Sequence, residues 1–419
     1  MKILFALRLY SGLEDSVINE KWQPNGIPTI YKLLEDLDKK HDIKVLLTHK
    51  VPNEMQYSKY KEKYNKKIYF KEFKEPFEII SSIYNNEHQL SKYKRMIEEF
   101  FHFKVVLKYI RKEKPDLIYI DNANIWSAGL IARIQSIPVV FRLLGIYPYI
   151  TKLSQNKLNF SQRILKWLFK APFSLVINTN DGSGKSIHVT KLLKKNTNYQ
   201  LLLNGVDIPK LQKNQVANKI NISETKLVCL FVSKLETYKG CLIFVEAMIQ
   251  AMHKGIELHS IIIGEGSQKK NIEKLIQKEG MSNNFSILGN IPHNDIFFYH
   301  SISNIYVSLN QLGNMSNTNL EAIKFGQVVI FPRSLDNETD NEDIKLFGEK
   351  NILWIKNPYD KLGLIFHLKK INNNRSILSS YKNQILTMSK LLPSWQERIN
   401  KEVSLLEGIV YKKQYKVKE

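Results

Sequence analysis

The chain has 419 residues, which is enough for two or three domains at roughly 100–200 residues per domain. Hydrophobic residues make up 43% and charged residues 24%, ordinary values for a globular protein that exclude a wholly disordered chain. Lys and Arg number 62 against 40 Asp and Glu, and the net charge of +22 favours anionic partners, although a general abundance of Lys explains the excess equally well.

Short apolar runs alternate with longer amphipathic stretches through the first half of the chain. They predict a strand at 3–7, a helix at 26–37, strands at 43–48 and 116–120, a helix at 127–135, and strands at 138–142, 175–179 and 201–203. Alternation of this kind is typical of a parallel sheet with crossover helices. The first half therefore predicts one doubly wound α/β domain.

An Asn-Gly turn with a nearby Pro at 204–209, and a polar stretch to about 224, interrupt this alternation. It then restarts with strands at 227–232, 259–263, 285–288, 304–308 and 328–331 and helices at 241–253, 269–278 and 318–325. We predict domains at 1–205 and 206–393, and a helix at 394–419 that is a candidate to pack back on the first domain. Ligands of such sheets bind at the carboxyl ends of the strands, so we expect a shared cleft.

Two loops of the second half carry basic residues or glycines directly after a strand. Lys234 and Lys239 leave the strand at 227–232 and precede a helix, so they are candidates to bind a diphosphate as point charges. Taken alone, such a pair is more often two solvated loop lysines. Gly264 and Gly266 follow the next strand and permit a tight turn and close backbone approach, although this pattern is common.

Two further loops complete the set. Asn290 lies in the Leu-Gly-Asn-Ile-Pro turn at 288–292, where a base could stack or bond to the backbone, though an ordinary turn is the commoner explanation. A polar loop at 308–317 leads into a helix whose first N–H groups suit a phosphate. Glu321, one turn into that helix, is a candidate acceptor for ribose hydroxyls. The alternative is that Asn317 or Thr318 only caps the helix.

The order of these motifs, with Asn-Gly-Val-Asp at 204–207 before them and Asn-Leu-Glu-Ala at 319–322 after them, resembles glycosyltransferase family 4. That family consists of retaining enzymes with the GT-B fold, two Rossmann-like domains that face each other across a cleft. The resemblance extends over most of the chain and is strongest from Leu201 to Phe331. It implies an N-terminal acceptor domain and a C-terminal nucleotide-sugar donor domain.

The resemblance also implies roles for individual residues. Lys239 would contact the donor diphosphate, and so would Lys234, where the family usually has the bidentate Arg. Glu321 matches the ribose-binding Glu that ends a Glu-x7-Glu motif, whose first Glu falls at Gly313 in this chain. The catalytic set is then Lys234, Lys239 and Glu321, and the donor-binding set is Gly26, Gly264, Gly266, Asn290, Asn314, Asn317, Thr318 and Glu321.

Several positions carry the details of this resemblance. Residues 314–317 look like the Asn-containing loop that one branch of the family carries in place of the first Glu. Gly26 matches the glycine-containing loop after the first strand, and Arg142 and Asn204 are predicted to line the cleft. Leu144 stands where many relatives carry a His, so this chain would do without that group.

The implied reaction moves a sugar from a nucleoside diphosphate to a glycan or lipid-linked acceptor, with retention, in cell-surface polysaccharide or glycoconjugate synthesis. Lysines and a helix N-terminus would stabilise the charge on the leaving diphosphate. No Asp-x-Asp or His cluster indicates a metal, and we expect no cofactor. The alternatives are a nucleotide-sugar epimerase of the same fold, a GT-B protein with altered or lost activity, and a non-enzymatic polyanion-binding protein.

Cellular location follows from a few local features. Cys229 and Cys241 form no CxxC or Cys/His pattern, which fits a reducing cytoplasm, and no apolar stretch is long enough to span a membrane. Residues 57–77 and 163–170 mix basic and aromatic side chains, which suits an anionic membrane surface, single-stranded nucleic acid, or an ordinary packed helix. We predict a cytoplasmic protein, peripheral on the inner face of the cell membrane, with no nucleic acid partner.

Overall fold

A computed structural model of the chain describes residues 1–50, 59–60, 65–84, 90–146, 148–155, 157–209, 222–223, 225–333 and 341–416. The chain forms two compact units. The first consists of Met1–Thr179, Lys185–Leu202 and Gln396–Glu419, and the second of Asn180–Gly184 and Leu203–Trp395. The C-terminal segment is thus part of the first unit.

An eight-stranded sheet forms the centre of the first unit. Its strands are β1 (Lys2–Arg8), β2 (Asp42–Thr48), β3 (Lys66–Ile68), β4 (Phe77–Ile80), β5 (Leu117–Asp121), β6 (Val139–Leu143), β7 (Leu175–Thr179) and β8 (Tyr199–Leu202). Their order across the sheet is β3-β4-β2-β1-β5-β6-β7-β8, and all neighbours are parallel except β3 and β4. The central strands β1 and β5 are buried and mainly apolar between their ends because both faces of a parallel sheet are covered by helices.

Helices lie on both faces of this sheet. They are α1 (Ser11–Ile18), α2 (Pro28–Lys40), α3 (Lys92–Glu113), α4 (Ile125–Ile134), α5 (Pro148–Leu153), α6 (Phe160–Phe169) and α7 (Ser186–Leu192), together with the C-terminal helix. Alternate residues of β1 divide between the two cores. Phe5 packs with α1, α2 and the C-terminal helix, whereas Leu4 packs with α3, α4 and α6.

Arg142 is an internal residue of the first unit, and its predicted role as a cleft-lining residue is wrong. Its side chain is 0% exposed and lies 3.6 Å from the Oε1 atom of Glu402. Its guanidinium also donates to the carbonyl of Ile177 at 3.2 Å and to the hydroxyl of Thr179 at 2.8 Å. Because these partners occupy it, Arg142 anchors the C-terminal helix to the sheet.

The aromatic side chains of the predicted 57–77 membrane patch point mostly into the core. Tyr60, Phe70 and Phe73 are buried, and the ring of Phe73 lies 4.7 Å from that of Trp22. Tyr69 is exposed. Residues 57–58 and 61–64 lie outside the described residues. The described part of this patch therefore contradicts the hypothesis that its aromatic residues enter a membrane.

A six-stranded parallel sheet forms the second unit. Its strands are β9 (Leu227–Val232), β10 (Leu258–Ile263), β11 (Phe285–Ile287), β12 (Ile305–Val307), β13 (Val328–Pro332) and β14 (Leu353–Ile355). They are ordered β11-β10-β9-β12-β13-β14, the 3-2-1-4-5-6 order of a Rossmann fold. The prediction of two α/β domains with doubly wound sheets is confirmed.

The second unit contains helices α8 (Cys241–His253), α9 (Lys269–Lys278), α10 (His293–Ile302), α11 (Asn317–Lys324), α12 (Asn341–Phe347), α13 (Lys361–Asn373) and α14 (Ser376–Ser389), and the chain ends with α15 (Trp395–Lys416). Short 3₁₀ turns lie at Asn122–Asn124, Thr237–Lys239 and Ser282–Asn284. Within the described residues, we find no helix whose length and hydropathy would allow it to cross a bilayer.

Candidate functional site

A cavity lies at the point of the second sheet where the strand order reverses, beside the carboxyl ends of β9 and β12. Its volume is about 80 Å³. Ligands of doubly wound sheets bind at this position because the crossover helices diverge there to opposite faces. The polar residues that line the cavity are Ser233, Lys239, Ser308, Asn310, Ser316, Thr318 and Asn319.

Gly240 brings Lys239 to this cavity. The residue has φ +72°, and a Cβ atom there would lie 2.5 Å from Cβ of Leu309. Glycine therefore allows the 3₁₀ turn after β9 to lie against the loop after β12, a contact that the Gln311 N–H closes by donating to the Tyr238 carbonyl at 3.1 Å. Lys239 at the end of that turn is thereby held beside both strands.

The ammonium group of Lys239 sits in a partly desolvated, cationic environment. Burial, and then the neighbouring Lys234, lower the pKa of Lys239 to about 8. Lys239 forms no ion pair with any residue in the described part of the chain. Lys234 itself is exposed. An anion bound in the cavity would supply a counter-charge for the Lys239 ammonium.

The N-terminus of α11 forms another wall of the same cavity. Ser316 caps the helix and accepts from the N–H of Asn319 at 3.3 Å, and its Oγ atom is 3.2 Å from Oγ1 of Thr318. The hydroxyl of Tyr306 on β12 lies 3.1 Å from Oγ1 of Thr318 and 2.9 Å from Oδ1 of Asn319. The positive end of the helix dipole and the Lys239 ammonium thus border one space.

Glu321 is buried one turn into α11 and does not line this cavity. Its Oε1 atom lies 2.8 Å from Nε2 of His293, and its Oε2 atom lies 3.7 Å from Nε2 of the buried His300. Neither Oε2 nor the His300 Nε2 has a hydrogen-bond partner among the described residues. His300 Nδ1 is 2.6 Å from Oε1 of Gln327, and burial lowers the pKa of His300.

Neither His293 nor His300 was predicted as a site residue from the sequence. His293 directly follows the Leu-Gly-Asn-Ile-Pro turn at 288–292 and begins α10. That position was the available signal, because a side chain at the start of a helix after such a turn projects near the carboxyl edge of the sheet. His300 lies two turns further along and is reached only through the packing of α10 on β12.

Gly264 and Gly266 are required by contacts between neighbouring loops. Gly264 has φ +138°, and a Cβ atom there would lie 2.9 Å from the carbonyl carbon of Ser233. A Cβ atom on Gly266 would lie 2.6 Å from the carbonyl carbon of Leu235. The Leu235 N–H donates to the Glu265 carbonyl at 2.8 Å across this contact. Close approach of the two loops thus explains both glycines without a ligand.

The side chain of Asn314 is turned into the second unit, so its prediction as a side-chain contact to the donor is wrong. Its Nδ2 group donates to the carbonyl of Pro332 at 3.0 Å and to Oδ2 of Asp343 at 2.9 Å. Asn314 is buried, and these bonds hold the loop before α11 against β13 and α12. The Asn-containing loop is therefore braced internally at this residue.

Backbone geometry explains why position 313 is glycine. Gly313 has φ +126°, and a Cβ atom there would collide with the carbonyl of Asp181 and lie 2.8 Å from the Ser183 nitrogen. The Met315 N–H donates to the same Asp181 carbonyl at 3.0 Å. Gly182, at φ +72°, faces Met315 from the other side. The two loops interlock, so a Glu at 313 would not fit this backbone.

The other predicted residues are placed as follows. The Nδ2 group of Asn204 donates to Oδ1 of Asn317 at 2.7 Å, which joins these two residues near the start of α11. Asn290 is exposed on the turn before α10. Gly26 belongs to the first unit, where it is exposed with φ +86°. Of the predicted set, Lys239 and Thr318 line the cavity.

Over the residues that the structure describes, no group of three or more His, Cys, Asp or Glu side chains is arranged to hold a metal ion. Among the described residues, Lys239 and the N-terminus of α11 border the cavity, and Lys234 lies close enough to lower the pKa of Lys239.

Comparison with known protein families gives a match within the second unit. Residues 212–334 match the family model described as Glycosyl transferases group 1, and this range contains Lys234, Lys239 and Glu321. The chain carries a glycosyltransferase group 1 domain. The cavity between β9, β12 and α11 lies within this domain.

Similar sequences point the same way. An uncharacterised glycosyltransferase of Methanocaldococcus jannaschii is 26% identical over 262 residues, which are 59% of this chain and 62% of the archaeal protein. The alpha-monoglucosyldiacylglycerol synthase of Acholeplasma laidlawii is 22% identical over 296 residues, or 65% of this chain and 71% of that protein. The chain thus matches less than two thirds of the archaeal relative.

Solved structures share the fold of the whole chain. Sucrose-phosphate synthase of Thermosynechococcus elongatus superposes with a TM-score of 0.66 at 14% identity, covering 99% of both chains. HepE of Anabaena, solved with UDP-glucose, gives 0.65 at 16% identity over 97% of this chain and 100% of its own. These likenesses confirm the predicted GT-B fold.

Proposed function

We propose that this protein is a retaining glycosyltransferase of the family 4 type that takes its sugar from a nucleoside diphosphate sugar. The observation that carries the proposal is the convergence of Lys239 and the N-terminus of α11 on one cavity at the reversal point of the second sheet. Both groups favour an anion, and the group 1 domain surrounds them. The Asn-containing loop at 314–317 then takes the place of the missing first Glu.

The leaving diphosphate is the anion that the cavity suits. When the bond between sugar and diphosphate breaks, negative charge grows on the phosphate oxygens. Lys239, with Lys234 beside it, stabilises that charge, and so do the first N–H groups of α11. Their positions are fixed by Gly240 and Ser316 before the substrate arrives, so little reorganisation opposes the reaction. Same-face attack by the acceptor hydroxyl then retains the anomeric configuration.

Glu321 is proposed to hold the ribose of the donor. Its Oε1 atom is bonded to His293, whose side chain is 61% exposed, so a ligand that arrives from solvent can reach this contact. Ribose hydroxyls would replace the imidazole as donors to the carboxylate, so the Oε1 atom keeps a charge-assisted hydrogen bond when the nucleotide is bound. The site then holds the nucleoside on Glu321 and the phosphates at Lys239.

The comparisons support a nucleotide-sugar donor and a lipid-linked or glycan acceptor. HepE has been solved with UDP and with UDP-glucose, and the catalytic domain of starch synthase IV of Arabidopsis thaliana with ADP and acarbose. The Acholeplasma relative is named for a glucosyl diacylglycerol, and WaaG is described as acting in lipopolysaccharide biosynthesis. We assign the acceptor to the first unit, and the reaction to cell-surface glycoconjugate synthesis at the cytoplasmic face of the membrane.

A direct test combines donor binding with donor turnover. A thermal-shift series with UDP-, ADP- and GDP-sugars should show one that stabilises the protein, since a ligand at 100 times its Kd adds about 2.7 kcal/mol. Lys239→Ala should weaken the binding of that nucleotide sugar, whereas Lys274→Ala on the exposed face of α9 should leave its binding unchanged. Nucleotide release that needs an acceptor supports the transferase. Turnover without acceptor would indicate an epimerase, and binding without turnover a non-enzymatic protein.

A further inference from the structure

Helix α3 presents an apolar stripe that is exposed among the residues described for the first unit. Tyr93, Met96, Ile97 and Phe100 recur at the spacing that places them on one side of a helix, and Tyr93 is 73% exposed. Single exposed apolar residues are normal on a surface, but four in one stripe mark an interaction site. The adjacent side of α3, with Phe103, Val106 and Ile110, packs into the core.

The same stripe becomes basic towards the C-terminus of α3. Lys104, Lys108 and Arg111 are exposed, and with Phe100, Phe103 and Leu107 they line a groove of about 430 Å³. The Lys104 ammonium lies 4.8 Å from the centre of the Phe100 ring. None of the three basic side chains forms an ion pair with a residue that the structure describes.

The acidic residues of α3 do not neutralise this stripe. Glu99 is bonded to the ammonium of Lys50 at 2.8 Å, and Glu113 to that of Lys2 at 2.8 Å. Glu98 is fully buried. The charge that α3 offers to solvent is therefore strongly positive.

Helix α6 extends this surface. Helix α4 packs against both α3 and α6, so the three helices form one layer on the same face of the sheet. Phe160 on α6 is 78% exposed, and Trp167 is exposed on the same side with Arg163 between them. The Arg133 guanidinium of α4 lies 3.8 Å from the centre of the Trp167 ring. Aromatic and basic side chains thus recur across the layer.

We propose that α3 and α6 form a docking surface for an anionic lipid bilayer. The exposed apolar residues of α3, with Phe160, enter the interfacial layer, and the basic groups bind lipid phosphates. Met96 and Ile97 favour lipid over nucleic acid, because aliphatic side chains offer no plane on which a base can stack. The inference rests on the lipid-linked acceptor of the proposed function, whose carrier lies in such a bilayer.

Vesicle co-sedimentation tests the electrostatic half of this proposal. The full chain should bind vesicles of equal phosphatidylcholine and phosphatidylglycerol and should bind poorly to phosphatidylcholine alone. Each basic side chain near an anionic surface is worth about fivefold, so Lys104→Gln/Lys108→Gln should lower partitioning roughly 30-fold. The matched control is Lys274→Gln/Lys278→Gln on α9, which removes the same charge at the same helical spacing from exposed positions.

A reporter on the apolar stripe tests insertion. Met96→Cys labelled with a polarity-sensitive thiol dye should shift its emission to the blue on adding the anionic vesicles. The same dye at Lys274→Cys should not shift. Both native cysteines are buried, so labelling is selective.

Three results would overturn the proposal. They are equal binding to both vesicle types, equal losses in the Lys104→Gln/Lys108→Gln and Lys274→Gln/Lys278→Gln variants, and binding of single-stranded DNA, without vesicle binding, that the Lys104→Gln/Lys108→Gln substitutions abolish. A dimer that the Lys104→Gln/Lys108→Gln variant dissociates, without vesicle binding, would assign the surface to self-association instead. Nucleotide-sugar affinity of this variant separates the two proposals: unchanged affinity with no vesicle binding leaves the transferase standing, whereas no donor affinity in the wild type removes it.

Discussion

The Oε1 atom of Glu321 lies 2.8 Å from Nε2 of His293, so a buried carboxylate at the carboxyl edge of the second sheet is bonded to an exposed imidazole. The same carboxylate presents its second oxygen to His300, which is buried and stacked on Phe325. An oxygen held by an exposed group can exchange that partner for a ligand. An oxygen that faces only buried groups serves to fix the orientation of the carboxylate.

Replacing Glu321 should cost nucleotide affinity without unfolding the protein. A hydrogen bond to a charged group is worth about 1.5–3 kcal/mol, so Glu321→Ala should weaken binding of the nucleotide roughly 10- to 100-fold. Isothermal titration with the nucleotide found in the thermal-shift series measures this. Glu273→Ala on α9 is the control, because Glu273 is an exposed carboxylate on another helix and does not line the cavity. Equal affinities in the two variants would remove the ribose assignment.

Replacing His293 should have the opposite effect. If ribose hydroxyls displace the imidazole, His293→Ala removes a competitor whose bond is worth about 1 kcal/mol, and nucleotide affinity should rise about fivefold. His253→Ala, another exposed histidine near a carboxylate, should leave affinity unchanged. A loss of affinity in His293→Ala would show that the imidazole contacts the ligand itself.

Nucleotide affinity should fall at alkaline pH because Lys239 loses its proton there. Burial and Lys234 lower its pKa to about 8 in the free protein, so the ammonium is present below that pH and lost above it. The nucleotide phosphates are already ionised in this range, and affinity should decrease by at most tenfold per pH unit above about pH 8. Titrations from about pH 7 to about pH 10 measure it. Lys239→Arg, charged throughout, should give a flat profile, and a wild-type profile equally flat would contradict the assignment.

The contribution of Lys239 to folding stability should rise with pH, in the opposite direction to nucleotide affinity. The folded pKa of Lys239 lies below the ordinary lysine value of 10.5, so the unfolded chain binds more protons between about pH 8 and about pH 10. Stability therefore gains a contribution as pH rises through that window. Comparison of urea midpoints for the wild type and Lys239→Met, in which this contribution is absent, isolates it. A saturating nucleotide should remove the difference, because the bound phosphates keep the ammonium protonated.

A side chain at position 313 should destabilise the domain. The positive φ angle of Gly313 alone costs a non-glycine residue about 1–3 kcal/mol, and the Asp181 carbonyl adds a collision. Gly313→Ala should therefore lower Tm more than Gly255→Ala, where φ is +79° and no atom lies within 4 Å of the added Cβ. Equal Tm shifts would show that the loop at 181–183 yields freely.

The sequence predicted the frame of the molecule well because continuous apolar runs identify strands that are buried on both faces. The predicted strand at 227–232 and helix at 241–253 match β9 and α8 to the residue. Helix α3 was not predicted, since its exposed apolar stripe lies beside its buried one and hides the helical period. An amphipathic pattern signals a helix only when one side is polar.

The candidate site was predictable only in part. Lys239 and Thr318 follow strands in the sequence, and strand ends meet at one edge of a parallel sheet. The direction of a side chain within a loop does not follow from its position along the chain, and so Asn314 was assigned to the donor although it binds Pro332 and Asp343. The glycines at 264 and 266 likewise depend on a neighbouring loop that the sequence does not place.

Arg142 is paired with Glu402, a residue that lies far away from it in the sequence. Glu402 is 0% exposed, receives the Tyr119 hydroxyl at 2.6 Å, and lies 2.7 Å from the Arg398 guanidinium. Burial alone would raise the pKa of Glu402, but Arg142 and Arg398 outweigh it and hold that pKa below its usual range.

Glu402→Gln should therefore be strongly destabilising. It leaves two buried guanidinium groups without a counter-charge, which costs about 3–5 kcal/mol, whereas Glu407→Gln, on the same helix and bonded to His41 near the surface, should cost about 1 kcal/mol or less. Because the folded pKa of Glu402 is lowered, its contribution is present above the unfolded value near 4.3 and is lost as pH falls towards the folded value. Urea unfolding at neutral and acidic pH measures both effects. If Glu402→Gln unfolds at the same urea concentration as Glu407→Gln, the cluster is not what holds α15 to the first unit.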